Sequence, residues 1–300
     1  MRITNNIAHE MQLKNMNEAL DKLYQYSIKA GTGKRFQVAS ENPTIAVESM
    51  SIKSTLKSME YYTSTAESSK EWMSATEFAL QQVADNGARA EALVNRGLSD
   101  TMGADERTVI ATELDGILEQ IVSTANTQHR DRYLFSGFST KTEPFVRTPA
   151  VPPASETVDY LPPAGPFQAI QRDTAPGETI TVNLDGPSTF GPLFDAIIAT
   201  RDALYANDMT SLRPAYTALQ NASKNVMNNL TTIGARLRVV ETTIAKNENS
   251  KIELQALLSQ KEDANMAEAI SQLKNQEVVY QAVLQVGAKA NSLMSLFDLL

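Results

Sequence analysis

Apolar residues recur at alternating intervals of four and three residues along both ends of this chain. Two such series lie in the C-terminal part: Val226, Leu230, Ile233, Leu237, Val240 and Ile244, and then Val279, Val283, Val286, Ala290, Leu293 and Phe297. Because an α-helix turns once in about 3.6 residues, this spacing places an apolar stripe along one side of a helix. It is typical of coiled coils, in which two stripes face each other. Asn247 and Lys251 interrupt the first series with polar side chains.

The N-terminal part shows the same spacing in two segments. In the first, Leu13, Met16, Leu20 and Leu23 follow one another at three, four and three residues. After a break, Asn42 and Pro43 have the features of a helix start, an N-cap followed by proline at the first helical position. A helix over residues 43–98 would be about 80 Å long at 1.5 Å per residue, which is too long for the inside of a compact domain.

Proline separates these two helical parts. Ten of the twelve prolines lie between Pro144 and Pro192, and proline lacks the N–H that a helix interior needs. Within this segment "ETITVNLDG" alternates apolar and polar residues and predicts a strand. We therefore expect a mainly α protein with a β insert (α+β): a helical arm over 1–137, a β-rich insert over 138–190, and a second arm over 191–300. The two arms should pack together as an antiparallel coiled-coil bundle.

The composition argues against several classes of protein. The net charge is −8 and there are no cysteines, so neither a basic nucleic-acid surface nor a thiolate site is expected. "GTGKR" lacks the glycine at position 28 and the serine or threonine at position 35 that a phosphate loop needs. The histidines, His9 and His129, have no second ligand at helical metal spacing. We expect no catalytic residue, no cofactor and no metal, and therefore not an enzyme.

The N-terminus lacks the apolar core of a cleaved secretory signal, and no apolar run exceeds four residues, far short of the roughly twenty that span a bilayer. Composition alone would place the chain in the cytoplasm.

Burying one Leu, Ile or Val contributes roughly 1.5–3 kcal/mol, whereas ordering each residue costs roughly 1–2 kcal/mol. Narrow stripes therefore leave the ends, about residues 1–40 and 265–300, close to balance until a partner adds apolar surface. Glu262 and Asp263 are interpreted as caps of a last helix starting near Ala264.

Aromatic residues cluster where the first arm ends. "RYLFSGFSTKTEPF" brings several of them together around a glycine and a proline, and we interpret it as the junction that closes the arm and starts the insert. Its residues are Tyr133, Phe135, Gly137, Phe138, Pro144 and Phe145.

Three stretches resemble the flagellin superfamily. "GTGKRFQVASENPTIAVESMSIKSTL" is similar to its first turn and second helix, with Asn42 where aspartate is usual. "IGARLRVVE" and the segment that opens with "SQKEDANMAEAISQLKN" resemble its C-terminal helices. The helix-turn motif comprises Gly33, Lys34, Arg35, Ser40, Asn42 and Pro43.

Within that superfamily the aromatic junction is similar to the members that lie between hook and filament. The resemblance implies an extracellular structural subunit of the bacterial flagellum, exported by the flagellar type III apparatus without a cleaved signal. It implies a ring of this chain in contact with the first hook-associated protein and flagellin, and a cytoplasmic export chaperone on the C-terminal helix. The apolar residues of the terminal helices would form the assembly interface: Ile3, Ile7, Leu13, Met16, Leu20, Leu23, Val279, Val283, Val286, Leu293 and Phe297.

Two other interpretations remain open from the sequence. One is a short flagellin that polymerises into the filament itself. The other, from a different class, is a coiled-coil binding or adhesin module whose β insert recognises a ligand.

Overall fold

A computed structural model describes residues 2–149, 156–162 and 168–298, and the side chains of residues 7, 9–149, 156–162 and 168–289. Within these residues the helices are α1 Arg2–Thr32, α2 Pro43–Gly97, α3 Ala104–Ala125, α4 Gly186–Tyr205, α5 Met209–Glu262 and α6 Met266–Asp298. The strands are β1 Gln128–His129, β2 Arg132–Tyr133, β3 Phe145–Thr148, β4 Thr157–Tyr160, β5 Gln171–Ala175 and β6 Glu178–Thr181. They pair as three antiparallel hairpins, β1 with β2, β3 with β4, and β5 with β6. The predicted mainly α fold with a β insert is confirmed.

The chain forms two compact units. The terminal unit comprises Met1–Ser58 and Ser250–Leu300, and the central unit comprises Met59–Asn249. Both unit boundaries fall within the ranges of long helices, α2 and α5. The two units have different boundaries from the predicted arms and insert. The division into an arm over 1–137, an insert over 138–190 and an arm over 191–300 therefore stays a prediction.

Helix α4 begins at Gly186, inside the proline-rich segment. The expectation that the prolines of this segment prevent a helix is therefore wrong for its last residues. Pro187 lies in the first turn of α4, where a missing N–H costs nothing, and Pro192 lies further in. Proline at position 192 leaves the carbonyl of Ser188 without its helical donor. The side-chain amide of Asn225 in α5 donates to that carbonyl at 2.8 Å. A tertiary hydrogen bond thus replaces the one that proline removes.

Polar side chains of α5 hold the β5–β6 hairpin. Asn247, only 2% exposed, donates from Nδ2 to the carbonyl of Thr174 at 2.8 Å. Arg236 donates from Nη1 to the carbonyls of Thr181 and Asn183 at 3.2 and 3.3 Å. Asn247 breaks the apolar series in the sequence because its position on α5 faces a strand carbonyl that needs a donor.

A cluster of charged side chains joins α3, α4 and the β3–β4 hairpin. Arg201 of α4 contacts Asp115 of α3 at 2.8 Å and Glu156 at 2.5 Å, and Arg147 of β3 forms ion pairs with the same two carboxylates. Hydrogen bonding from Arg147 lowers the pKa of Glu156, and outweighs the opposing effect of burial. Burial raises the pKa of Asp115, but hydrogen bonds from Arg201 and Arg147 together bring it below its ordinary value. Both carboxylates are therefore stabilised as anions in the folded state.

We expect Glu156→Gln to lower the free energy of unfolding of the central unit by about 1–3 kcal/mol at pH 7, because two guanidinium groups lose a charged acceptor. The pKa of Glu156 is depressed below 4.5 on folding, so its contribution is complete above pH 4.5 and is lost as the pH falls through the folded value. The difference between the variant and the wild type should therefore shrink in acid.

Urea unfolding followed by Trp72 fluorescence measures this, since the single tryptophan lies in the central unit. Glu178→Gln is the matched control because Glu178 pairs with Lys246 on the surface, where an ion pair contributes little. A difference that stays constant from pH 7 to pH 3 would contradict this assignment.

Candidate functional site

Helices α1 and α6 pack against each other in the terminal unit. Their inward positions, recognised by low exposure, recur at intervals of four and three residues. These positions form what we call the seam: Gln12, Met16, Ala19, Leu23 and Tyr26 of α1, and Ala269, Leu273, Gln276, Tyr280, Val283 and Gly287 of α6.

The predicted assembly residues divide between the seam and the outer surface. Met16, Leu23 and Val283 belong to the seam and are half-buried. The exposed ones include Ile7 at 56% and Val286 at 66%, together with Leu13, Leu20 and Val279. The side chains of Ile3, Leu293 and Phe297 lie outside the described residues. The set of residues predicted from the sequence therefore mixes two faces of each helix. In the single chain one face is packed in the seam and the other is exposed to solvent.

The terminal unit buries little apolar surface. Among its described side chains the buried apolar ones are alanines, at positions 19, 46 and 269. Large apolar side chains are exposed on each of its four helical segments, for example Met11, Val47, Ile252 and Val278. Exposed apolar surface on this scale is characteristic of a protein–protein interface.

A backbone bridge joins the turn after α1 to the link between α5 and α6. The N–H of Arg35 donates to the carbonyl of Glu262 at 2.6 Å, and the N–H of Ala264 donates to the carbonyl of Gly33 at 2.8 Å. Lys34 and Asp263 are thus paired like residues of neighbouring antiparallel strands. Gly33 adopts φ +67°, a left-handed conformation that favours glycine. The predicted turn motif therefore positions a contact between the two ends of the chain.

Charged side chains reinforce this bridge. Lys34 contacts Asp263 at 2.7 Å and Glu262 at 3.4 Å, and Lys53 of α2 contacts Glu262 at 2.5 Å. Burial raises the pKa of Glu262, but hydrogen bonding from Lys53 and Lys34 brings it below its ordinary value. The hydrogen bond from Lys34 lowers the pKa of Asp263 as well. Two carboxylates from the C-terminal part thus hold two ammonium groups from the N-terminal part.

The predicted caps have different outcomes at the two helix starts. Asn42 accepts the N–H of Ile45 at its side-chain oxygen, 3.2 Å away, so it caps α2 ahead of Pro43 as predicted. Helix α6 begins at Met266, and Asn265 caps it by accepting the N–H of Ala267 at 3.1 Å. The interpretation of Glu262 and Asp263 as caps was wrong, because both face lysines instead. Ser40 of the turn motif is exposed.

The aromatic junction forms the core between α3, α4 and the β3–β4 hairpin. Phe135 and Phe145 are fully buried against Phe190 and Phe194 of α4, with ring centroids 4.7–5.6 Å apart. Such edge-to-face contacts stabilise aromatic clusters beyond their burial. Pro144 is buried beside them, and Tyr133 is half-buried. Gly137 turns the chain at φ +62°.

Phe138 departs from the other junction aromatics, since it is 61% exposed.

Two residues outside the motif hold the junction in place. Asn126, at the end of α3, binds the backbone of Phe145 twice: Oδ1 accepts its N–H at 3.0 Å and Nδ2 donates to its carbonyl at 2.7 Å. Gly186, at the start of α4, lies so near the chain that a Cβ built there would be 2.4 Å from the carbonyl oxygen of Phe135. No local sequence signal identifies either residue, because their partners are distant in sequence.

The described residues include no group of three or more His, Cys, Asp and Glu side chains that could hold a metal ion. In the same part of the chain no helix has the length and apolar character needed to cross a membrane.

The comparison with known proteins matches residues 3–140 to the bacterial flagellin N-terminal helical region. Flagellar hook-associated protein 3 of Escherichia coli K12 is 23% identical over 261 residues, which cover 79% of each chain. The protein of the same name from Salmonella typhimurium LT2 is 23% identical over 100% of this chain and 99% of its own. A crystal structure of Xanthomonas campestris FlgL shares the fold, with a TM-score of 0.61 and 17% identity over 69% of this chain and 99% of that one.

These matches confirm the resemblance to the flagellin superfamily and, within it, to hook-associated protein 3. They also support a structural rather than an enzymatic role, as the sequence predicted.

The two glycines of "GTG" should respond differently to replacement by alanine. Gly33→Ala places a Cβ on a left-handed residue, which costs about 1–2 kcal/mol, and should accelerate amide exchange at Arg35 and Ala264, the two donors of the bridge. Gly31 lies in the last turn of α1, and a Cβ placed on it would meet nothing within 4 Å. Gly31→Ala should therefore leave these rates unchanged or slow them. Hydrogen exchange measured by NMR distinguishes the two, and equal effects would contradict the assigned role of Gly33.

A second glycine pair tests the junction. Gly186→Ala should destabilise the central unit by about 1–3 kcal/mol because the new methyl group overlaps the carbonyl of Phe135. Gly191→Ala, in the same helix but with open space around it, should be neutral or stabilising. Trp72 fluorescence in urea provides the measurement. If Gly186→Ala matched its control, the close approach would not be a constraint.

Proposed function

We propose that this chain is a structural subunit of the bacterial flagellum at the junction between hook and filament. The observation that carries the proposal is the similarity to flagellar hook-associated protein 3 along the whole chain. A junction protein must bind two different neighbours and other copies of itself. Helices with one face packed in the seam and another apolar face exposed, as α1 and α6 have, suit that requirement.

In this proposal the exposed apolar residues of α1 and α6 are the contact surface in a ring of identical subunits. The first hook-associated protein lies on one side of the ring and flagellin on the other. Apolar contacts of this kind contribute most when water is fully excluded, which requires a neighbouring molecule. The weak burial in the terminal unit supports this, since its apolar side chains gain most from assembly.

The route to that position is part of the proposal. The subunit would leave the cell through the flagellar type III apparatus without a cleaved signal, and a cytoplasmic chaperone would hold α6 before export. The exposed residues Val278, Val279 and Val286 are suited to such a contact, because a partner that covers them prevents premature association. The terminal helices would acquire their final packing after docking.

A short flagellin is the second candidate, since the match at residues 3–140 is to a helical region named for flagellin. Deleting the gene separates the two. For a junction protein, hooks form and flagellin appears in the medium without attached filaments. For a flagellin, the hooks remain and no other filament subunit leaks from the cell.

Replacing Val279 and Val286 with aspartate should abolish seeded assembly, in which purified protein is added to isolated hooks that carry the first hook-associated protein. Two charges on an apolar contact surface must be desolvated on docking, so binding should weaken by more than about tenfold. Gln285→Asp, a charge on an already polar exposed position of α6, should assemble normally. Wild-type assembly by the valine variant would remove this face from the proposed interface.

A further inference from the structure

Two glutamines occupy inward positions of the seam. The side-chain amide of Gln276 in α6 donates to the backbone carbonyl of Ala19 in α1 at 3.2 Å. Gln12 of α1 lies against Gly287 of α6, where a built Cβ would be only 2.4 Å from its Nε2. Each helix thus places one glutamine against a small residue of the other. The arrangement is reciprocal.

The small residues make this arrangement specific to one register. On the α1 side of the seam Ala19 is the one small residue among Gln12, Met16, Leu23 and Tyr26. A slip of α6 by seven residues would place Gln276 opposite Gln12 or Tyr26. Both side chains are larger than that of Ala19 and would stand between the Gln276 amide and the backbone carbonyl of their own residue. The amide would then lose its acceptor at a half-buried position.

The slip would also create a poor contact at the other glutamine. With Gln276 opposite Tyr26, Gly287 would face Ala19, and two small residues would leave a gap in the packing. Gln12 would at the same time lose the opening over the α6 backbone that Gly287 provides. One shift therefore breaks both pairs together.

A polar residue at an inward position of a coiled coil selects one register and lowers the stability of the pair. We infer that Gln12 and Gln276 are positioning residues, which act with the Lys34–Asp263 bridge to fix the antiparallel register of α1 against α6 and keep the seam weak enough to open. The register follows from the single chain. Only the idea that the seam opens during assembly rests on the proposed function.

Engineered cysteines can test the register, because the natural chain contains none. Met16 and Val283 line one cavity of about 200 Å³ between α1 and α6, so a cysteine pair at these positions reports the native register. Leu23 lies seven residues after Met16, so a pair at Leu23 and Val283 reports the slipped one. Oxidation of the dilute full-length chain traps either pairing as a disulfide, which mass spectrometry identifies after proteolysis.

With both glutamines present, we expect the Met16–Val283 pair to cross-link and the Leu23–Val283 pair to fail. The Lys34–Asp263 bridge also holds the two helices in place, so the comparison is made with Arg35→Pro and Ala264→Pro, which remove its two backbone donors. In that background, replacing Gln12 and Gln276 with leucine should allow both pairs to cross-link, because leucine packs acceptably against any seam residue. The same double substitution, without cysteines, should slow amide exchange in α1 and α6 by at least about tenfold, since it buries two aliphatic side chains.

Gln25→Leu with Gln281→Leu is the matched control, since both glutamines are exposed on the same two helices. It should leave the cross-linking pattern and the exchange rates unchanged. The inference is overturned if the seam variant with both prolines cross-links only in the native register, or if the terminal amides of the leucine variant exchange no more slowly than those of the control. Because neither readout needs hooks or filaments, this result is separate from the seeded-assembly test.

Discussion

The pairing of Lys34 with Asp263 brings together parts of the chain that are 229 residues apart. Two backbone hydrogen bonds and a group of lysine–carboxylate contacts join the turn after α1 to the start of α6. This bridge brings the two terminal helices to one place, where their inward faces meet. The seam and the exposed apolar face of each helix both depend on it, because the bridge holds the C-terminal end of α1 beside the N-terminal end of α6.

Burial is distributed unevenly between the two units. The central unit has a continuous core in which phenylalanines from the junction and α4 interlock, and buried arginines and asparagines satisfy the carbonyls and carboxylates around it. The terminal unit buries mainly alanine among its described side chains. A unit with a complete core can be stable alone, whereas one with an exposed apolar face gains most of its stability from neighbours. This difference agrees with the proposal that the terminal helices complete their packing on assembly, whereas the central unit is already packed in the single chain.

The sequence predicted the helices, the N-cap at Asn42 and the aromatic junction because each leaves a local signal, such as apolar spacing or turn chemistry. It did not predict where α4 begins, since that depends on Asn225 serving a carbonyl that Pro192 leaves free. Nor could it separate the seam from the outer face of α1, because Leu13 and Met16 are equally apolar and only packing distinguishes them. Gly186, Asn126 and Glu262 were missed or misread for the same reason: their partners lie far along the chain.

The distance spanned by the Lys34–Asp263 bridge has a kinetic consequence. Closing a loop of 229 residues in a disordered chain costs about 5 kcal/mol in entropy, so long-range contacts of this kind form late and slowly. A folded central unit shortens the effective loop, which sets an order in which the middle of the molecule condenses before its ends meet. If the chain leaves the cell through the proposed export apparatus, the bridge cannot form until residue 263 has emerged.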